Sequence, residues 1–229
     1  MARTQTRRSP LRFLFALLFV LVIAAGAFTG YLYMSYRTIQ EHIGAATTSY
    51  DQCLEQLEGQ QYGDALTSIH TTVDEVSQIR TNLDGWQWNI AARLPYIGQD
   101  VNCARQTAQI ADELAGNAVL PVLEQAEDIL GDVGSDDPLT GIGNAFTKLP
   151  AFYTAVTDAR KVVGTCKSEA DALGDAHFDE LNEWVGNVKT ATTEADAAFA
   201  QFDVIFSAVD TLGELANSFT TTTEPTMAG

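Results

Sequence analysis

The chain has 229 residues, 46% of them hydrophobic and 19% charged, and a formal net charge of −17. Residues 1–40 hold Arg3, Arg7, Arg8, Arg12 and Arg37 but no Asp or Glu, which leaves eight basic residues against thirty acidic ones downstream. So acidic a body repels phosphate backbones, which excludes nucleic acid as a partner, and disfavours broad contact with anionic headgroups.

The first element is an unbroken uncharged run from Phe13 to Met34. At ~1.5 Å per residue it is long enough to cross a ~30 Å hydrocarbon core. Arg7, Arg8 and Arg12 precede it, which keeps the N-terminus cytoplasmic, and Tyr31, Tyr33 and Tyr36 fall at the outer end, where aromatic rings prefer the headgroup zone. The competing reading is a signal peptide cleaved at Ala25-Gly26-Ala27. The run continues past that site, so an uncleaved anchor over residues 13–36 is expected, with residues 1–12 inside the cell and the rest outside. Gly26 and Gly30 stand at G-x-x-x-G spacing, a face through which two anchors can form a homodimer. Glycine is also common in membrane helices, so the spacing alone does not decide the point.

Five helices follow over residues 37–219, each with apolar residues stepping by three and four. The first carries Ile39, Ile43, Ala46, Tyr50, Cys53 and Leu57, and the second Tyr62, Leu66, Ile69, Val73, Val76 and Leu83. The third carries Val101, Ala104, Ala108, Ala111, Ala115, Ala118 and Val122. The fourth runs from Ile142 through Val156, Val163 and Cys166 to Leu173, and the fifth from Phe178 through Val185 and Phe199 to Val209. No segment alternates long enough for a strand, so the fold class is all-α: a transmembrane helix followed by an antiparallel bundle. Glu58-Gly59, the stretch from Asn82 to Gly98, the Gly-rich stretch 131–143 and Gly174 mark the breaks, and Asp175 is placed to cap the last helix. Pro121 should kink or split the third helix, and Leu149 or Pro150 is a natural start for the fourth. Leu94-Pro95, Val101, Ala104 and Arg105 recur 55 residues later as Leu149-Pro150, Val156, Ala159 and Arg160, which reads as two similar helix starts. The Thr-rich tail 220–229 has no apolar period and is expected to be disordered.

The stretch between the second and third helices gathers Trp86, Trp88, Leu94, Pro95, Tyr96 and Gly98. If the first bundle helix continues the anchor, it climbs ~30 Å and the second brings the chain back to headgroup height near Thr81. This corner then either dips Trp86, Trp88, Ile90, Leu94, Tyr96 and Ile97 into the interface, with Arg93 toward headgroups, or packs inside as a hinge.

The run WQWNIAARLPYIGQDVNCARQTAQIADELAGNAVLPVL resembles the N-terminal part of domain of unknown function 4012, found in membrane-anchored actinobacterial envelope proteins. The matching pieces are Leu94-Pro95, Gly98, Asp100-Val101, Ala104-Arg105, the Ala-rich helix and Leu120-Pro121, within a likeness covering roughly residues 10–215. The resemblance implies an envelope location and no known reaction. In that family a larger C-terminal domain follows, and this chain stops where it would begin.

Cys53, Cys103 and Cys166 all fall on the outer side, where disulfides persist. Height along the bundle favours a Cys103–Cys166 pair; seam position argues otherwise, since Cys53 and Cys166 lie on core faces and Cys103 does not. Three reduced thiols are the alternative. No zinc spacing, phosphate loop or nucleophile–base pair is legible, so no enzyme and no cofactor are expected. Asp132, Asp136 and Asp137 lack the regular spacing of a calcium loop. What remains is a non-enzymatic scaffold or interaction module of the cell envelope with the lipid bilayer and an envelope protein as partners; the alternative is a ligand-binding or sensory accessory ectodomain acting through a partner.

Overall fold

The computed structural model describes the backbone of residues 10–133 and 138–221, and side chains over 26–132, 140–141 and 143–202. All described secondary structure is helical: α1 Pro10–Glu58, α2 Tyr62–Leu83, α3 Trp86–Ala91, α4 Ile97–Glu113, a π-helical turn Leu114–Val119, α5 Leu120–Val133, α6 Pro138–Ala172 and α7 Asp179–Thr221. Arg3, Arg7 and Arg8 of the basic N-terminal segment, the Asp136-Asp137 pair and most of the Thr-rich tail lie outside the described residues.

α1 is one helix of 49 residues, about 74 Å at 1.5 Å per residue, and passes without a break from the apolar run into the bundle. Among the described residues no helix is long and apolar enough to cross a membrane; most of the apolar run, residues 13–25, lies outside the described side chains. The helix stops at Glu58. Gln60, not Gly59, takes the left-handed conformation (φ 58°), and the amides of Gln61 and Gln60 bond back to Gln56 and Leu57. That is a Schellman closure, which satisfies carbonyls the helix end would otherwise orphan.

α2 returns along α1, and α4 crosses between two layers. One side of α4 meets α1 and α2, where Ile39, Ile79, Leu83 and Ala108 are buried together. Its other side meets α6 and α7, where Cys103, Ile110 and Leu114 pack with Val156, Ala159, Val163, Cys166, Val185 and Val188. A third cluster higher up joins Cys53, Ala65, Ile69 and Ala115.

Two prolines behave differently from the sequence expectation. Pro121 neither splits nor ends its helix. The chain instead widens into a π turn just before it, with the Leu120 amide reaching back five residues to the Ala115 carbonyl. A wide turn absorbs the ring and the missing donor. Pro150 lies inside α6, which starts at Pro138. The carbonyl it cannot serve belongs to exposed Phe146, where solvent substitutes. Leu94-Pro95 and Leu149-Pro150 are therefore not equivalent helix starts, since the first pair is a turn and the second is mid-helix. At the head of α7, Asn182 and not Asp175 ties the entry: its amide side chain accepts from the Ala176 N–H and donates to the Ala176 carbonyl.

Candidate functional site

The corner is assembled on the foot of α1. Gly85 opens α3, and its first three residues lie against α1 at the C-terminal end of the apolar run. Trp88 donates its indole N–H to the Ser35 hydroxyl at 2.9 Å, and Gln87, buried, reaches the same oxygen at 3.3 Å. Trp86 stacks on Tyr31 (centroids 5.8 Å apart) and leans on Phe28 at 6.0 Å. Arg105 of α4 fixes the corner from behind. Its guanidinium donates twice to the Leu83 carbonyl, at 2.8 and 3.0 Å, and once to Asn89 Oδ1 at 2.8 Å. The C-terminal end of α2 and the body of α3 are thus held by one side chain.

Beyond α3 the chain turns tightly through Ala92–Tyr96 into α4. Gly98 is obligatory there, because a Cβ on it would lie 2.3 Å from the Ala92 carbonyl oxygen. Tyr96 has φ 75°, a region that costs a non-glycine residue about 1–3 kcal/mol, and yet its side chain is 85% exposed. Among the described residues its ring makes no hydrogen bond or ring contact in return.

The two sequence readings of the corner divide along its side chains. Gln87 and Trp88 turn inward onto Ser35, as the inward-packing reading expects of part of the corner. Trp86 (59% exposed), Ile90, Leu94, Tyr96 and Ile97 face outward together with Pro95 and Arg93. The contacts with Phe28, Tyr31 and Ser35 set this outward face level with the end of the apolar run. Ser35 went unnoticed in the sequence; a small hydroxyl near an otherwise apolar helix end is a weak signal. Gly26 and Gly30 are exposed, with open space where a side chain would stand, so nothing described in the chain covers that face.

The cysteines correct one expectation. All three thiols are free and buried, and no Cys103–Cys166 disulfide forms. Cys166 Sγ lies 3.8 Å from the Ile110 carbonyl, whereas Cys103 Sγ lies 3.9 Å from that of Gly174. Cys166 is therefore level with a residue two helical turns above Cys103, a separation of about 10 Å along the bundle, which is too far for a bond that needs Cα atoms within ~7 Å. Cys103 also proves buried, because α4 packs on two sides.

Burial, with Glu113 and Glu169 nearby, pushes the Cys166 thiol up to about 11; burial also raises Cys103 and Cys53. A thiol that ionises at 9.0 when unfolded and near 11 when folded keeps its full contribution to stability below pH 9. Between those values the unfolded chain has released the proton and the folded chain has not. Stability then falls as pH rises, by on the order of 2 kcal/mol from Cys166 alone. Urea unfolding at pH 8 and pH 11 should show this loss in the native chain and a smaller one in Cys166→Ala. An equal loss in both would mean that Cys166 does not titrate as described.

Among the described residues no group of three or more His, Cys, Asp or Glu side chains converges on a point that would hold a metal ion. Asp132 and Asp128 both pair with Lys148 across α5 and α6, which accounts for two of the acidic residues near the Gly-rich loop. No family model matches the chain, and no curated protein or solved structure was found similar to it.

Proposed function

We propose that the chain is a non-enzymatic, membrane-anchored scaffold or interaction module of the cell envelope. In this reading α1 crosses the bilayer with its N-terminus cytoplasmic, and the corner rests on the outer leaflet. The acidic bundle stands above and presents its helices to an envelope protein. The observation that carries the reading is the corner's position: a cluster of exposed apolar side chains pinned beside residues 28–35 of α1, where the apolar run ends. A strained, exposed Tyr96 suits a ring that belongs in the headgroup zone. Contact on that side would restrain the bundle's tilt, which a single helix alone does not.

The test uses the full chain in phosphatidylcholine nanodiscs, because the corner depends on α1. With Trp88→Phe and Trp184→Phe, Trp86 is the sole tryptophan. Phospholipid brominated near the carbonyl end of its chains should quench more than half of its emission, and mid-chain bromine should quench less. Emission typical of water with no quenching would overturn the reading. A second reading, a ligand-binding accessory ectodomain acting through a partner, is favoured by one feature, an apolar groove between α1 and α7.

A further inference from the structure

α1 packs on α2 and, at its foot, on α3, while α7 packs on α6 and α4. The seam between α1 and α7 is left as a groove with two cavities of about 520 Å³ each, and Trp184 stands in the wall of both. That volume is in the range of sites that hold small ligands. The lower cavity is the more apolar. Leu32, Tyr33 and Tyr36 of α1 face Leu181 and Trp184 of α7 across it, with Trp88 nearby. It extends along α1 from Thr29 to Ile43, about 21 Å at 1.5 Å per residue. A hydrocarbon core of ~30 Å is two chains deep, so the groove is longer than one chain's share of a leaflet.

Two observations specify the occupant. The groove is continuous with the apolar run, since Thr29, Leu32 and Tyr33 belong to both. Its wall also contains Asp100, which is 4% exposed. Asp100 Oδ1 accepts from the His177 backbone N–H at 2.8 Å and lies 3.1 Å from His177 Nδ1, but Oδ2 has no hydrogen-bond partner. An unmade hydrogen bond on a buried carboxylate is costly; Oδ2 is closed off as it stands, and a rotation of the carboxylate toward the groove would bring it to a donor seated there. Glu180 lies in the same wall, so a phosphate head would meet two carboxylates and be repelled.

We infer that this groove holds the acyl chain of a neutral, hydroxyl-headed lipid from the outer leaflet, with the hydroxyl donating to Asp100. The inference rests on the anchored reading above, since only then does the lower mouth open at the bilayer. The hydroxyl gives the preference and the groove gives the fit. Neutral single-chain lipids are taken up, and phospholipids are left in the membrane.

The experiment uses the full chain in phosphatidylcholine nanodiscs with Trp86→Phe and Trp88→Phe, so that Trp184 alone emits. Three lipids brominated at the same mid-chain position are titrated in: a monoacylglycerol, the matching fatty acid methyl ester, which lacks a donor, and phosphatidylglycerol. The monoacylglycerol should quench Trp184 saturably. The methyl ester should need a roughly tenfold higher concentration for the same effect. Phosphatidylglycerol should not quench. Equal quenching by all three, or none by any, overturns the inference. Circular dichroism confirms that the variant is folded. The Trp86-only protein in the same discs separates the two readings: quenched Trp86 with unquenched Trp184 leaves the resting corner and removes the lipid groove, and neither quenched removes both.

Discussion

Replacing Arg105 with Met should cost about 3 kcal/mol and loosen the corner more than any other part of the bundle. The side chain makes three charge-assisted hydrogen bonds, two to the Leu83 carbonyl and one to Asn89. Each such bond contributes roughly 1.5–3 kcal/mol when intact, and Arg105 is only half-buried, so the sum is discounted. Leu83 is buried, and its carbonyl accepts a hydrogen bond only from Arg105 among those described, since neither the Trp86 nor the Gln87 amide, which would continue the helix, reaches it. Met keeps most of the length and apolar stem, which isolates the lost donors. The loss should appear as a lower urea midpoint and as faster amide exchange over residues 84–96, with α6 unchanged. Arg105→Lys should recover less than half, because one ammonium cannot serve two acceptors with the geometry of a planar fork. Unchanged exchange at the corner in the Met variant would show that α3 is held by Ser35 and the aromatic stack alone.

This role of Arg105 also marks how far the sequence was legible. The existence of the helices and their dominant seams could be read from spacing. In the fourth predicted helix, Val156, Ala159, Val163, Cys166, Ala170 and Leu173 are buried as the three-four pattern requires, whereas Leu149, on the same predicted seam, is exposed and Phe152 is half-buried. That helix lies against neighbours on essentially one side. The third predicted helix was legible on only one of its two buried sides. Val101, Ala108, Ala115 and Ala118 were legible, whereas Cys103, Thr107, Ile110 and Leu114 were not. A single apolar stripe is the wrong template for a helix between two layers. Phe178 shows the reverse error, since it continues the period of the fifth helix yet precedes its first turn and stays exposed. At the corner, composition marked the aromatic cluster, and the hydrogen bonds decide which of its side chains turn in. Ser35 and Arg105 come from distant parts of the chain, and no local pattern links either to Trp88 or Asn89. The cysteine pairing failed for a related reason. Height along a bundle can be estimated from residue counts only to about two turns, and a disulfide discriminates far more finely than that.

Gly98→Ala should destabilise the protein by about 3 kcal/mol, at the upper end of what one added methyl costs in a packed site. The added carbon would lie 2.3 Å from the Ala92 oxygen and 3.0 Å from its carbonyl carbon. Both are backbone atoms, so no side-chain rotation relieves the clash. Ala92 cannot retreat freely either, because the turn is fixed by Arg93 N–H to Ile90, Leu94 N–H to Ala91 and Gly98 N–H to Leu94. The strain must pass into Tyr96, which already holds an unfavourable φ, or into the start of α4. Ile97 and Asp100 sit there, both in the wall of the groove, so the same substitution should weaken monoacylglycerol quenching of Trp184. Gly164→Ala serves as the contrast. It lies mid-α6 with nothing within 4 Å of the added carbon, and it should stabilise by up to ~1 kcal/mol through helix propensity. Opposite signs from the same chemical change would show that Gly98 is required by the approach of the turn. A neutral Gly98→Ala would mean that the turn yields at little cost, and the corner would then be too soft to hold its apolar side chains at one fixed height.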